Sequence, residues 1–137
     1  MSMLKKVDSW RMWVLCDRDP IEDWSDGRVT LLGDAAHPML QYFAQGACMA
    51  SEDAVCLANM VEQSEGDFTA AFLAYQKTRY LRTARVQMTA RFLGDVYHAA
   101  GPVRELRNMV FGGITPEDAD PHAGLAWLYG GGLSTAG

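Results

Sequence analysis

Asp34 follows Gly33 directly, and Gln45-Gly46 comes after a loop without charged residues. An ionised carboxylate accepts hydrogen bonds, which suits the hydroxyls of a sugar-like chain. Gly33 carries no side chain, so a ligand can approach the backbone closely there. Gln45-Gly46 opens a predicted helix, whose first amide groups lack partners within the helix and favour negative charge. The apolar run Val29, Leu31 and Leu32 predicts a short strand in a covered sheet, ending at Gly33. Asp34 then falls just past the strand's carboxyl end, where open α/β sheets bind ligands. An acid beside an anion-friendly helix end points to a nucleotide or a flavin.

The ordered set Gly33-Asp34-Ala35-Ala36-His37-Pro38, Gln45-Gly46 and Glu52-Asp53-Ala54 resembles the GD motif of the class A FAD-dependent aromatic hydroxylases. Trp24 and Gly27-Arg28-Val29 before it, and Arg79 to Gln87 after it, agree with the same family. The resemblance spans about Trp10 to Tyr129 and corresponds to the carboxyl-terminal third of such an enzyme. It implies a mostly helical α/β fragment, the last part of a glutathione-reductase-like FAD-binding fold, with two short strands and about four helices. It also implies FAD as cofactor, with NADH or NADPH as co-substrate and O2 as oxidant. Cofactor contacts fall on Gly33, Asp34, Gln45, Gly46 and Ala47. Leu40-Gln41-Tyr42 resembles the 3-hydroxybenzoate 6-hydroxylase branch, which makes Gln41 and Tyr42 candidates for contact with an aromatic substrate. An amide can orient a phenol or carboxylate, and a tyrosine offers a ring face and a hydroxyl. Packing beneath the loop is the competing role for Tyr42-Phe43.

No GxGxxG motif occurs, and Gly130 to Thr135 cannot supply one because threonine stands at the third glycine position. The missing amino-terminal part of the enzyme is therefore an expected partner, and a homodimer is compatible with the family. Hydroxylation of 3-hydroxybenzoate to gentisate is the favoured activity. Salicylate hydroxylation and a non-catalytic helical module are the alternatives, the isolated fragment being expected to be inactive.

No residue of this chain is assigned as catalytic. The resemblance places the phenol-activating base in a substrate domain outside it and gives His37 a bracing role in the turn. His98 and His122 stand in no motif. Glu117, Asp118, Asp120 and His122 read as a cap and acidic loop, so no metal site is expected. Glu52-Asp53 read as acids in the first turns of the helix, where they complement its dipole. Arg79, Arg82, Arg85 and Arg91 read as a solvated helix face paired with acids such as Glu62 and Asp67.

The elements that must position these groups follow from pattern. Trp10 to Cys16 predicts a strand, stopped at Asp17-Arg18-Asp19-Pro20; Ser25-Asp26-Gly27 turns the chain into a second strand over Arg28 to Leu32. Small and apolar residues from Ala47 to Val61 recur at helical spacing through about Gln63. Gly66 ends that helix, and Asp67 is a cap for the next. Helix-forming sequence then runs to about Ala100, as one long helix or two abutting ones, until Gly101-Pro102 breaks it. A short helix over Val103 to Phe111 and a last turn after Thr115-Pro116 complete the chain. The expected organisation is residues 1–27 as the end of a substrate domain and its return strand, 28–66 as the strand, GD loop and helix, 67–129 as terminal helices, and 130–137 as a flexible tail.

Composition sets the class. The chain has 137 residues, of which 49% are hydrophobic, enough for a core and too many for a disordered tail. A net charge of -5 lacks the basic footprint that nucleic-acid binding requires. Three cysteines without metal-type spacing favour a reducing, cytoplasmic setting. The longest uncharged run, Ala35 to Ser51, contains Pro38, Gln41, Gln45 and Gly46 and is not a membrane span. Two strands alone are marginal, so exposed apolar surface is expected on the isolated chain.

Overall fold

A computed structural model describes residues 6–113 and 126–129, and within them the chain is mostly helical. Two short strands, β1 (Ser25–Asp26) and β2 (Val29–Thr30), pair antiparallel with Ser25 opposite Thr30 and Asp26 opposite Val29. Gly27 makes their tight turn possible with φ of 55°. Four helices follow: α1 (Gly46–Gln63), α2 (Phe68–His98), α3 (Gly101–Gly112) and α4 (Ala126–Tyr129). Single 3-10 turns over Gly33–Ala35 and Gln41–Phe43 shape the loop between β2 and α1.

The long helical stretch is one helix, α2. The Asp67 carboxylate caps it by accepting from the Ala70 amide at 3.0 Å, and Gly66 (φ 93°) reverses the chain between α1 and α2. Gly101 and Pro102 form the first turn of α3 instead of standing outside it, because proline fits a first turn, where its missing N–H leaves no bond unmade.

Helices α1 and α2 pack together and hold the core between them. One cluster gathers Trp24, Ala36 and Tyr75, with Cys56, Leu57 and Met60 of α1 against it; the other gathers Met49, Val86 and Leu128. Burying a side chain such as Met49 or Val86 contributes about 1.5–3 kcal/mol. Trp24 is tied into place twice: its amide donates to Gln76 Oε1 at 2.8 Å and its indole N–H to the Ile21 carbonyl at 2.8 Å.

Two strand expectations are corrected. Residues 10–16 form no strand, and Trp13 and Val14 are 77% and 83% exposed. A strand needs a ladder partner for its amides and carbonyls, and none is paired with this segment among the described residues. The second strand is confined to Val29–Thr30, with Val29 and Leu32 exposed where a covered sheet was expected. The expected last turn after Thr115-Pro116, the acidic loop with His122 and the tail from Gly130 lie outside the described residues.

Candidate functional site

The loop between β2 and α1 folds back over the start of α1 and leaves an open cleft of about 580 Å³. Gly33, Asp34, Gln41, Gly46 and Ala47 all line it. Gly33 adopts φ of 60°, and a Cβ there would approach the Ala50 Cβ to 3.1 Å. Only glycine therefore combines that backbone turn with such close packing on α1. The Gly33 carbonyl accepts from the Ala36 and His37 amides, both at 2.9 Å, which closes the turn.

Asp34 is exposed to the cleft, and no described residue donates a hydrogen bond to its carboxylate. Its Oδ1 lies 3.8 Å from where a Cβ on Gly46 would stand, so the carboxylate and the helix start are neighbours. Gln45 precedes α1 without a side-chain cap, and no acid occupies the first turn. The Gly46, Ala47 and Cys48 amides thus have no partner within the helix, the first internal bond in this turn being Met49 N–H to the Gln45 carbonyl. Ala44, Ala47 and Ala50 leave the floor free of bulky side chains. A ligand that presents a hydroxyl close to a delocalised negative charge fits this donor and acceptor set.

Two candidates lie elsewhere. The Gln45 side chain is buried and donates from Nε2 to the Tyr129 hydroxyl at 3.3 Å, leaving only its backbone at the helix start. Tyr42 lines a second groove with Asp17, Arg91 and His98, and its ring meets Tyr97 and His98 edge-on with centroids 6.2 and 5.2 Å apart. The structure brings Gln41 to the cleft and seats Tyr42 on α2.

Behind the turn lies a charge cluster that pattern reading did not find. Asp53, 0% exposed, accepts from the Gly33 amide at 3.1 Å, from His37 Nε2 at 2.5 Å and from Arg79 Nε at 2.7 Å. Glu52 accepts from Arg79 and from both Nε and Nη2 of Arg82, and Arg82 also donates to the Trp127 and Leu128 carbonyls. The expected solvated basic face is thereby corrected: Arg79 is buried, Arg91 pairs with Asp17 and Asp19, and Arg85 lies over the Trp127 ring. Burial drives the Asp53 carboxyl upward, but hydrogen bonds from His37 and Arg79 hold it below the usual carboxylate range. Glu52 behaves alike, with Arg82 and Arg79 outweighing burial. The available signal was position: Asp53 shares the apolar stripe of Met49, Cys56 and Met60, where a charge needs a buried partner.

His37 is buried against Trp24 with centroids 5.6 Å apart, and it does not line the cleft. Its Nδ1 has no hydrogen-bond partner among the described residues. No group of three or more acids, histidines or cysteines there could hold a metal, and no helix there is long and apolar enough to cross a membrane.

Comparison with known proteins agrees with this chemistry. A family model described as an FAD binding domain matches residues 3–90. The chain is 53% identical over 130 residues to 3-hydroxybenzoate 6-hydroxylase 1 of Aquipseudomonas alcaligenes, a match covering 94% of this chain and 32% of the relative. Against 3-hydroxybenzoate 6-hydroxylase of Klebsiella oxytoca the identity is 50% over 128 residues, 93% of this chain and 32% of the relative. A more distant relative is 3-amino-4-hydroxybenzoate 2-monooxygenase PtnB3 of Streptomyces platensis, 41% identical over 119 residues, 86% of this chain and 29% of the relative. The chain spans about a third of the length of these curated relatives.

Proposed function

The chain belongs to the FAD binding domain family, and from that premise we propose that it is the flavin-contacting segment of an aromatic hydroxylase acting on 3-hydroxybenzoate. The single observation that carries this reading is the shared cleft: an unpartnered Asp34 carboxylate and the uncapped start of α1 open onto the same space. The names of the relatives at 50% and 53% identity support the substrate, and hydroxylation at position 6 yields gentisate. The complete enzyme has the glutathione-reductase-like fold, with its dinucleotide motif and substrate domain supplied by the missing amino-terminal part. Cys16, Cys48 and Cys56 are all free, which accords with a cytoplasmic enzyme; a homodimer is the assembly to test.

Bound FAD would accept a hydride from NADH or NADPH and activate O2 for insertion into the ring. Asp34 holds the cofactor by accepting from a hydroxyl of its sugar-alcohol chain, an exchange that favours the ionised carboxyl. The Gly46 and Ala47 amides, together with the dipole of α1, would favour negative charge on a bound flavin by about 1 kcal/mol. Gln41 lines the cleft, and its amide orients the phenol or carboxylate of the substrate in this reading. The small side chains of Ala44, Ala47 and Ala50 would let a flat ring system approach the backbone there.

The test grafts this chain in place of the matching segment of the Aquipseudomonas alcaligenes relative. The purified chimaera is expected to be yellow and to convert 3-hydroxybenzoate to gentisate with consumption of NADH or NADPH. Asp34→Ala is expected to reduce its bound flavin about tenfold, equivalent to about 1.4 kcal/mol, with little change in unfolding temperature. A colourless chimaera, or full flavin content after Asp34→Ala, overturns the reading.

A further inference from the structure

We propose that Asp53 is a positioning residue for the cleft: its buried carboxylate holds the Gly33–Asp34 turn against α1 so that Asp34 faces the ligand. The inference rests on the flavin reading for its consequence, though the positioning itself is a property of this chain alone.

Three elements meet on this one side chain. Oδ2 takes the Gly33 amide from the turn and His37 Nε2 from the loop beyond it; Oδ1 takes Arg79 Nε from α2. The Gly33 amide belongs to the residue with φ of 60°, so the carboxylate stabilises the unusual backbone conformation that precedes Asp34. An ionised aspartate offers acceptors only, and all three groups around it are donors. Its pairing with His37 therefore assigns the proton to Nε2 and leaves Nδ1 as the unpartnered buried atom. The site cannot tolerate a carboxamide without conflict. Asparagine would turn an NH2 either toward Arg79 or toward the Gly33 amide, setting donor against donor; His37 alone can adapt, by carrying its proton on Nδ1.

Two measurements separate positioning from mere bulk. In the full 137-residue chain, Asp53→Asn is expected to accelerate hydrogen exchange at the Gly33 amide about tenfold while leaving the Val86 amide in mid-α2 unchanged. In the chimaera, Asp53→Asn is expected to weaken FAD binding about fivefold to tenfold, and to do so far less in an Asp34→Ala background, because the two changes act through one contact. Asp53→Glu keeps a charge opposite Arg79 and serves if Asp53→Asn does not fold; it displaces the carboxylate by one methylene and is expected to show the same two effects. Gly33 exchange at the wild-type rate in the folded variant, or an equal loss of FAD affinity with and without Asp34, overturns the proposal. An Asp34→Ala variant with normal FAD affinity and fast Gly33 exchange only in the Asp53 variants would instead sink the flavin reading and leave the positioning standing.

Discussion

Burial opposes ionisation of Asp53 and Glu52, yet both carboxyls are held below the usual range by the hydrogen bonds of His37, Arg79 and Arg82. A depressed folded-state pKa has a definite sign in stability. Above the unfolded values of about 4 both carboxyls are ionised in either state, and the stabilisation is complete. As pH falls below that, the unfolded chain takes up protons first, and stability drains until the folded groups protonate as well. We therefore expect urea midpoints that are flat from pH 7 to about 5 and fall steeply toward pH 3. Glu52→Gln should cost about 1–3 kcal/mol at pH 7 and make the acid fall shallower; Glu52 is 19% exposed, so the cost lies below that of a fully buried pair. An acid slope unchanged in that variant would remove Glu52 from the network. At this scale the cleft itself was legible. Glycine followed by an acid at a strand end, and a glutamine-glycine helix start, report their chemistry through local sequence. Asp53 was not, because an acid early in a helix has an adequate explanation in the helix dipole, and its real partners stand 20 and 26 positions away at Gly33 and Arg79.

Gly94 shows how an element can be shaped by one contact. It sits inside α2, where glycine is less favourable than alanine by about 1 kcal/mol. A Cβ there would stand 2.7 Å from two atoms of the Tyr42 ring, so the missing side chain lets the 3-10 turn over Gln41–Phe43 lie flat on the helix. Gly94→Ala should therefore destabilise the chain by about 1–3 kcal/mol through displacement of that ring, against the helix-propensity gain. In a Tyr42→Ala background the same substitution should instead stabilise by up to about 1 kcal/mol. Thermal unfolding of the four proteins checks it, and the same sign of effect in both backgrounds would refute the contact. Helices α1 and α2 were readable because caps and breakers at Gly66, Asp67 and Gly101 act within a turn or so of where they stand. The Trp10 to Cys16 strand was misread for the opposite reason. Aromatic and apolar residues encode a preference for pairing, but the pairing itself requires another strand. Tyr42 illustrates the same gap, since its neighbour Gln41 faces the cleft while its own ring is drawn to a glycine far along the chain.

Trp10, Met12, Trp13, Val14 and Leu15 are exposed, and Leu81, Phe92, Val103, Leu106 and Met109 add apolar surface on α2 and α3. Exposed large apolar side chains favour association where they gather in patches. The chain matches only about a third of its relatives' length. The net charge of -5 opposes association, but charge screened at physiological salt acts over only about 8 Å and does not cover an apolar patch. The isolated chain should bind a hydrophobic dye and show an apparent mass that rises with concentration in light scattering. Trp10→Ser with Trp13→Ser should lower both signals and change unfolding free energy by no more than about 0.5 kcal/mol, because exposed side chains without packing partners contribute little to the fold. The grafted chimaera should show neither signal, its added residues covering the same surface. A monodisperse isolated chain without dye binding would mean that these side chains are already covered, and the segment carrying Trp10 and Trp13 would then have to pack against the helices.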